Sequence, residues 1–394
     1  MPKKHSRKSA QAEINPRRLI AFAGMFIIFV TAMIGFSTRT ASASVTYQAL
    51  VTPTAQSEVM NESLVYLETD GMGGGQTLIQ KSKKDIETGG GNRMAFAAID
   101  TGACSVGGIY PAPHGQWIAI EQSCEDGGIV EIFHLASGKF VSSFRDVIFL
   151  GWTPKNDMII KGGIVDRQVY LVNPANGKES VLPVPSTTYH VSISRNGKQM
   201  VYSTTIGLGY GSETWVSDID GDNAMQIHHS PNSLILFATW SPNQKQIAYI
   251  EIPDTNIPFE VGELWVIDSD GSNPTFLSKA DGGHGYQLSW SSNGKRIAFV
   301  GRENPSDSGA NFEDDRLVSE IYIVDVSNGK IQKVSNFSRK TGSPSWSHDG
   351  KFIIFETKKD AKSNEIWVYN TETNSLDLAD ASSNGSLPVW LVSP

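Results

Sequence analysis

Two hydrophobic patterns divide the chain. Leu19 to Phe36, LIAFAGMFIIFVTAMIGF, is an uncharged apolar run of 18 residues. No polar face recurs in it at a 3.6-residue period, so it does not read as a helix on a soluble core. Beyond residue 60 the pattern changes to short apolar runs separated by Gly, Asn, Asp and Ser. Ile297 to Val300 is one such run. It follows Trp290-Ser291 across Asn293-Gly294, a dipeptide suited to a two-residue hairpin because both residues tolerate positive φ. EIYIVDVSNGKIQKVS, Glu320 to Ser335, then repeats strand, Asn-Gly turn and strand. Together they predict one four-stranded antiparallel unit.

The unit recurs. Aligned on Trp290, its equivalents are Pro111, Trp152, Ile193, Trp240, Trp346 and Trp390, at successive steps of 41, 41, 47, 50, 56 and 44 residues from the first to the last. Propeller blades repeat at roughly 40–45 residues, and the longer steps require insertions. The second halves recur as well, for example in QVYLVNPANGK (Gln168 to Lys178) and ELWVIDSDGSN (Glu263 to Asn273). Six full units begin at Pro111, and Trp390 opens a seventh without room to finish. SLVYLET (Ser63 to Thr69) and MAFAAID (Met94 to Asp100) supply strands at the front. A blade shared between the two ends closes the ring and removes a free sheet edge. The predicted fold is all-β, a seven-bladed β-propeller over residues 61–394, with a six-bladed ring as the alternative.

WSPNQKQIAYI, ELWVIDSDGSNPTFLS, WSSNGKRIAFV and WSHDGKFIIF resemble the TolB-like, WD40-like (PD40) propeller repeat, whose usual form is close to WSPDGKxIAF followed by xIYxxDxDG. The resemblance covers most of residues 63–394 and is strongest in the last three units. It implies a β-propeller of the kind found in exported proteins that bind other proteins or stand beside hydrolase domains. The family's namesake carries an α/β domain before its propeller. Only a short spacer stands there in this chain, so the Tol-Pal role is not carried over.

Charge sharpens the division. Of the net −8, residues 1–39 contribute +6, from seven Lys and Arg against one Glu, and the remainder carries −14. An acidic body argues against non-specific binding to nucleic acid or anionic lipid. Residues 1–18 read as a basic cytoplasmic tail and residues 37–60 as a flexible spacer rich in Ser, Thr, Ala and Gln. The basic flank before Leu19 keeps the N-terminus inside and sends the body out. Residues 19–36 are long enough for a single-pass membrane anchor. Ala41-Ser42-Ala43 equally fits cleavage of a secretory signal, releasing a periplasmic or secreted protein.

In a propeller the first-to-second and third-to-fourth connections share one face. Here they are short turns such as Asn196-Gly197, Asn293-Gly294 and Asp349-Gly350. The opposite face receives Asp70 to Asn92, Thr204 to Glu213, Glu251 to Gly262 and Gly301 to Ser319, read as long second-to-third loops. Long irregular loops on a rigid scaffold are where binding residues sit. Candidates there are Tyr210 and Glu213, Asp254 and Phe259, and the acidic loop with Glu303, Asp314, Asp315 and Arg316. His190 and His284 fall just before first strands, near the channel mouth. A solvated acidic loop, a surface turn at Tyr210 and a buried Phe259 are the plain alternatives.

No short ligand spacing supports a metal, and no cofactor is expected. Asp218 to Asp222 and Asp268 to Gly271 superficially resemble calcium loops, lack the closing Glu, and occupy hairpin turns. No G-x-S-x-G nucleophile motif occurs. Cys104 and Cys124, both exported, are candidates for a disulfide tying the shared blade to its neighbour; free thiols are the alternative. The expected function is a protein- or ligand-binding module at the cell envelope. A propeller enzyme of lyase or glycosidase type, with its site at the channel mouth, and a structural envelope protein are the alternatives.

Overall fold

The computed structural model describes residues 61–69, 75–102, 104–163, 166–281, 288–360, 363–380 and 384–393. The basic tail, the apolar run 19–36, the spacer, and His284 lie outside them. Among the described residues no helix is long and apolar enough to cross a membrane.

Seven four-stranded antiparallel sheets form the ring. Blade 1 is shared between the chain ends: β28 (Gly385–Ser393) is its inner strand, followed outward by β1 (Asn61–Thr69), β2 (Gln76–Ser82) and β3 (Met94–Ile99). Leu64 pairs with Trp390 across the closure. Blades 2 to 7 follow in chain order, each from inner to outer strand. Their inner strands are β4 (Ser105–Pro111), β8 (Val147–Trp152), β12 (Thr188–Ile193), β16 (Ser233–Trp240), β20 (Ser289–Trp290) and β24 (Thr341–Trp346).

The front of the chain thus supplies three strands, not two. Asp70 to Asn92 is not one loop: it contains β2 and a short helix, α1 (Lys83–Glu87). α1 lies on the short-turn side and secures the closure, since Lys83 Nζ lies 2.6 Å from Glu62 and 2.7 Å from Asp349 of blade 7.

The repeated turn has a physical basis. In Ser194, Ser241 and Ser291 the buried Oγ donates to the side chain of the Asn two residues on and accepts the N–H five residues on. Ser347 does the same with Asp349 and Phe352. The fourth turn residue then takes positive φ, which Gly197, Gly294 and Gly350 accept without strain. Gln244 stands there at φ 61° and uses its side chain to accept the N–H of Asn196 on the preceding blade, at 3.1 Å.

The hydrophobic core is divided into seven clusters, one in each gap between neighbouring blades. Several gaps are also stitched by the repeat's tryptophan. Trp152, Trp240 and Trp390 donate from Nε1 to the main-chain oxygens of Tyr110, Ser192 and Ser345 on the preceding blade, at 2.9–3.2 Å. Among the described residues the indole nitrogens of Trp290, which ends the short strand β20, and of Trp346, which ends β24, are buried without a hydrogen-bond partner.

Cys104 and Cys124 form a disulfide, with Cα atoms 4.4 Å apart. It lies within blade 2 rather than between blades. Cys104 immediately precedes β4 and Cys124 ends β5 (Trp117–Cys124), one step beyond the Ser105–Ser123 pair.

Candidate functional site

Two regions sit apart from the repeated scaffold: the central channel and the crest of the long-loop face. The channel wall is built from bulged inner strands. The ladder is interrupted between Phe149 and Gly151, Thr188 and His190, Leu236 and Thr239, and Gly342 and Ser345. Phe237, Ser343 and Leu387 adopt φ of 57°, 55° and 53°, a left-handed conformation that costs a bulky residue about 1–2 kcal/mol.

A bulge frees main-chain polar groups that must find partners. Side chains of the preceding blade supply them. Glu121 on β5 accepts the N–H of Phe149 at 3.1 Å, and Glu356 on β25 (Phe352–Lys358) accepts that of Leu387 at 3.0 Å. His190 bonds through Nε2 to the oxygen of Ala238 at 2.8 Å. Glu121 also accepts the Tyr110 hydroxyl at 3.2 Å, and the Tyr110 ring stacks on Phe149 at 4.5 Å. Burial pushes the Glu121 carboxyl up to about 7, against the pull of these two hydrogen bonds. Burial likewise holds His190 below its ordinary value, so its ring is neutral at pH 7.

These strands enclose a cavity of about 370 Å³ with contributions from all seven blades. His190 belongs to its wall: it lies inside β12, not before it.

The long-loop crest rises over blades 4, 5 and 6. The connections are residues 205–211, 254–260 and 303–318, each shorter than its sequence limits because the flanking strands run further. They are bound to one another. The N–H of Gly211 donates to Asp254 Oδ2 at 2.6 Å, and the N–H of Phe259 to the oxygen of Asn311 at 3.1 Å. Phe259, Ala310 and Leu317 form a small core of their own. Beneath it Arg302 and Asp281 make a two-point ion pair, 1% and 0% exposed, and Arg302 also donates to the oxygen of Phe259.

This geometry corrects several expectations. Phe259 is 1% exposed and is the interior of the crest, not a contact surface. Asp254 is a loop tie. The acidic loop is largely neutralised by its neighbours: Glu303 pairs with Lys333 at 2.9 Å, Arg316 with Asp307 at 2.7 Å, and Asp314 with Lys340. Asp315 is exposed. Glu213 accepts from Trp215 Nε1 at 3.2 Å and lies 4.0 Å from His229. Among the described residues no group of three or more His, Cys, Asp and Glu is placed to hold a metal ion.

The crest is distinguished instead by apolar exposure. Eleven large apolar side chains are exposed among the described residues. Seven of them, Met94, Phe140, Val181, Met225, Phe276, Ile331 and Leu378, fall one per blade on the outer strands and belong to the repeat. The other four, Ile206, Leu208, Tyr210 and Phe312, are on the crest. Of these only Tyr210 stood out in the sequence. Ile206 and Leu208 alternate with glycines in TIGLGYG, a signal that an apolar residue is held outward by a loop with no strand pairing.

No protein-family model matches the chain. A stretch of 122 residues is 30% identical to Tol-Pal system protein TolB of Albidiferax ferrireducens, covering 30% of this chain and 26% of that protein. The match therefore spans about a quarter of that relative's length. Among solved structures, one from a study of two prolyl endopeptidases superposes with a TM-score of 0.57 at 12% identity, over 81% of this chain and 49% of that one. An oligogalacturonate lyase in complex with manganese gives 0.51 at 12% identity, over 80% and 83%. At this identity both are likenesses of fold. The matched stretch is TolB-like, and seven four-stranded sheets close the ring.

Proposed function

We propose that this propeller is a partner-binding module of the cell envelope, and that its crest over blades 4 to 6 meets a protein. The observation that carries this reading is the exposure of Ile206, Leu208, Tyr210 and Phe312 on loops fixed to one another and to the ring. Apolar side chains presented on a pre-ordered surface bind with little loss of conformational freedom. The TolB likeness supports it, since the matched relative is named for the Tol-Pal system. The apolar run 19–36 and its basic flank support a location outside the cytoplasmic membrane in this reading, tethered if the run is retained and periplasmic or secreted if it is cut near Ala43.

The test is affinity capture from envelope extracts. The full chain should retain a protein that the Ile206→Ser, Leu208→Ser double variant loses. The rim variant Phe140→Ser should retain it. Equal capture by all three chains would contradict the reading.

A further inference from the structure

The channel cavity has features that the crest does not explain. Its wall is uneven around the ring. Tyr110 on blade 2, Phe149 and Trp152 on blade 3 and Trp390 on blade 1 give it an aromatic side. Phe149 holds Tyr110 by stacking and Trp152 edge-on at 5.6 Å. The polar atoms of that side are already engaged, Tyr110 with Glu121 and the two indoles with main-chain oxygens. Tyr110, Trp152 and Trp390 are half-buried, and Phe149 is buried behind them.

The facing side, on blades 4, 5 and 7, carries His190, Ser192, Thr239 and Ser345 beside one further ring, Phe237. Among the described residues the hydroxyls of Ser192, Thr239 and Ser345 make no protein hydrogen bond, and none is sealed from the cavity. His190 must carry its proton on Nε2 to bond the Ala238 oxygen, which leaves Nδ1 as an acceptor. Ser192, Thr239 and Ser345 share one repeat position, just before the aligned residue of each unit, and the ring departs from it at blades 1, 2 and 3, where that position is Val389, Tyr110 and Gly151. No charged side chain lines the cavity, and its volume is in the range of small-ligand pockets, roughly 300–1,000 Å³.

We propose that the channel is a binding site for an uncharged aromatic small molecule bearing a hydroxyl or N–H donor. Its flat face lies against Tyr110, Trp152 and Trp390, and its donor meets the His190 and hydroxyl side. An anion is disfavoured, because the wall offers no cation to replace lost hydration.

Two probes sharing one ring system test this on the full-length chain. N-phenyl-naphthylamine is neutral and carries an N–H; anilinonaphthalene sulfonate adds a negative charge. The neutral probe should bind saturably, one per chain, with energy transfer from tryptophan, and the sulfonate at least about ten-fold more weakly. The Thr239→Val, Ser345→Ala variant, which changes little volume, should weaken the neutral probe by about three- to ten-fold. The Ile206→Ser, Leu208→Ser crest variant should leave it unchanged. Absence of saturable binding, as for a channel that holds only water, would overturn the proposal. So would equal affinity for the sulfonate, binding unaffected by the channel variant (as at the apolar run 19–36), or binding lost in the crest variant.

Discussion

The carboxylate of Glu121 holds the main chain of Phe149, 3.1 Å away on the next blade, and so couples a titratable group to the channel wall. The folded pKa of about 7 stands above the ordinary 4.5. Between these values the folded chain keeps a proton that the unfolded chain has lost. Stability from this group is therefore fullest below pH 4.5, declines as pH rises through 7, and is level above. The full shift corresponds to about 3 kcal/mol, an upper bound because the site borders a channel. Glu121→Gln cannot titrate. Urea melts from pH 4.5 to 8 should show the wild type losing stability relative to the variant as pH rises; parallel curves would exclude the coupling.

The tryptophan stitches should not be equivalent. Trp240 donates to Ser192, whereas among the described residues the Trp290 indole nitrogen has no hydrogen-bond partner. Replacement by Phe removes the donor and keeps most of the ring. We expect Trp240→Phe to cost about 1 kcal/mol more than Trp290→Phe in denaturant unfolding, and equal costs would show that the stitch contributes nothing.

Arg302 and Asp281 are a buried pair, while Arg316 and Asp307 are a surface one. Removing one partner of a buried pair takes from the other charge much of what offsets its burial. Arg302→Ala should destabilise by about 3–5 kcal/mol and loosen the crest, seen as faster amide exchange at residues 254–260. Arg316→Ala should cost less than about 1 kcal/mol. Similar losses for the two would refute the distinction.

The Cys104–Cys124 bridge closes a loop with a sequence separation of 20. Chain-entropy arguments give about 3 kcal/mol for it. The double Cys→Ser variant should lower stability by that order and leave the ring assembled, read by calorimetry and far-UV circular dichroism. Unchanged stability would show that blade 2 does not depend on the bridge.

The ring was legible because its signals are local. Trp-Ser, the Asn-Gly turn and the apolar run each act within one hairpin, and their repetition located the closure at Trp390. Where the reading failed, distant contacts decided. QTLIQKS has only Leu78 and Ile79 as apolar neighbours and follows glycines, so it read as loop. It is a strand because β1 and β3 pair with it on both edges. Phe259 lies among turn residues and is buried only because Ala310 and Leu317, about fifty residues later in sequence, fold over it. Glu121 looks like any strand glutamate until the bulge at Phe149 meets it. Tyr210 was visible between its glycines; the fixing of its loop by Asp254 was not.

The central claim is that a partner meets the crest while the outer rim is scaffold. Photo-crosslinking tests it most directly. A benzoyl-phenylalanine should be placed singly at Tyr210, at Phe312 and at Phe140, all exposed, and irradiated in intact cells. The account predicts one protein adduct shared by the first two positions and absent from the third. Adducts from Phe140 alone, or equally from all three, would contradict it.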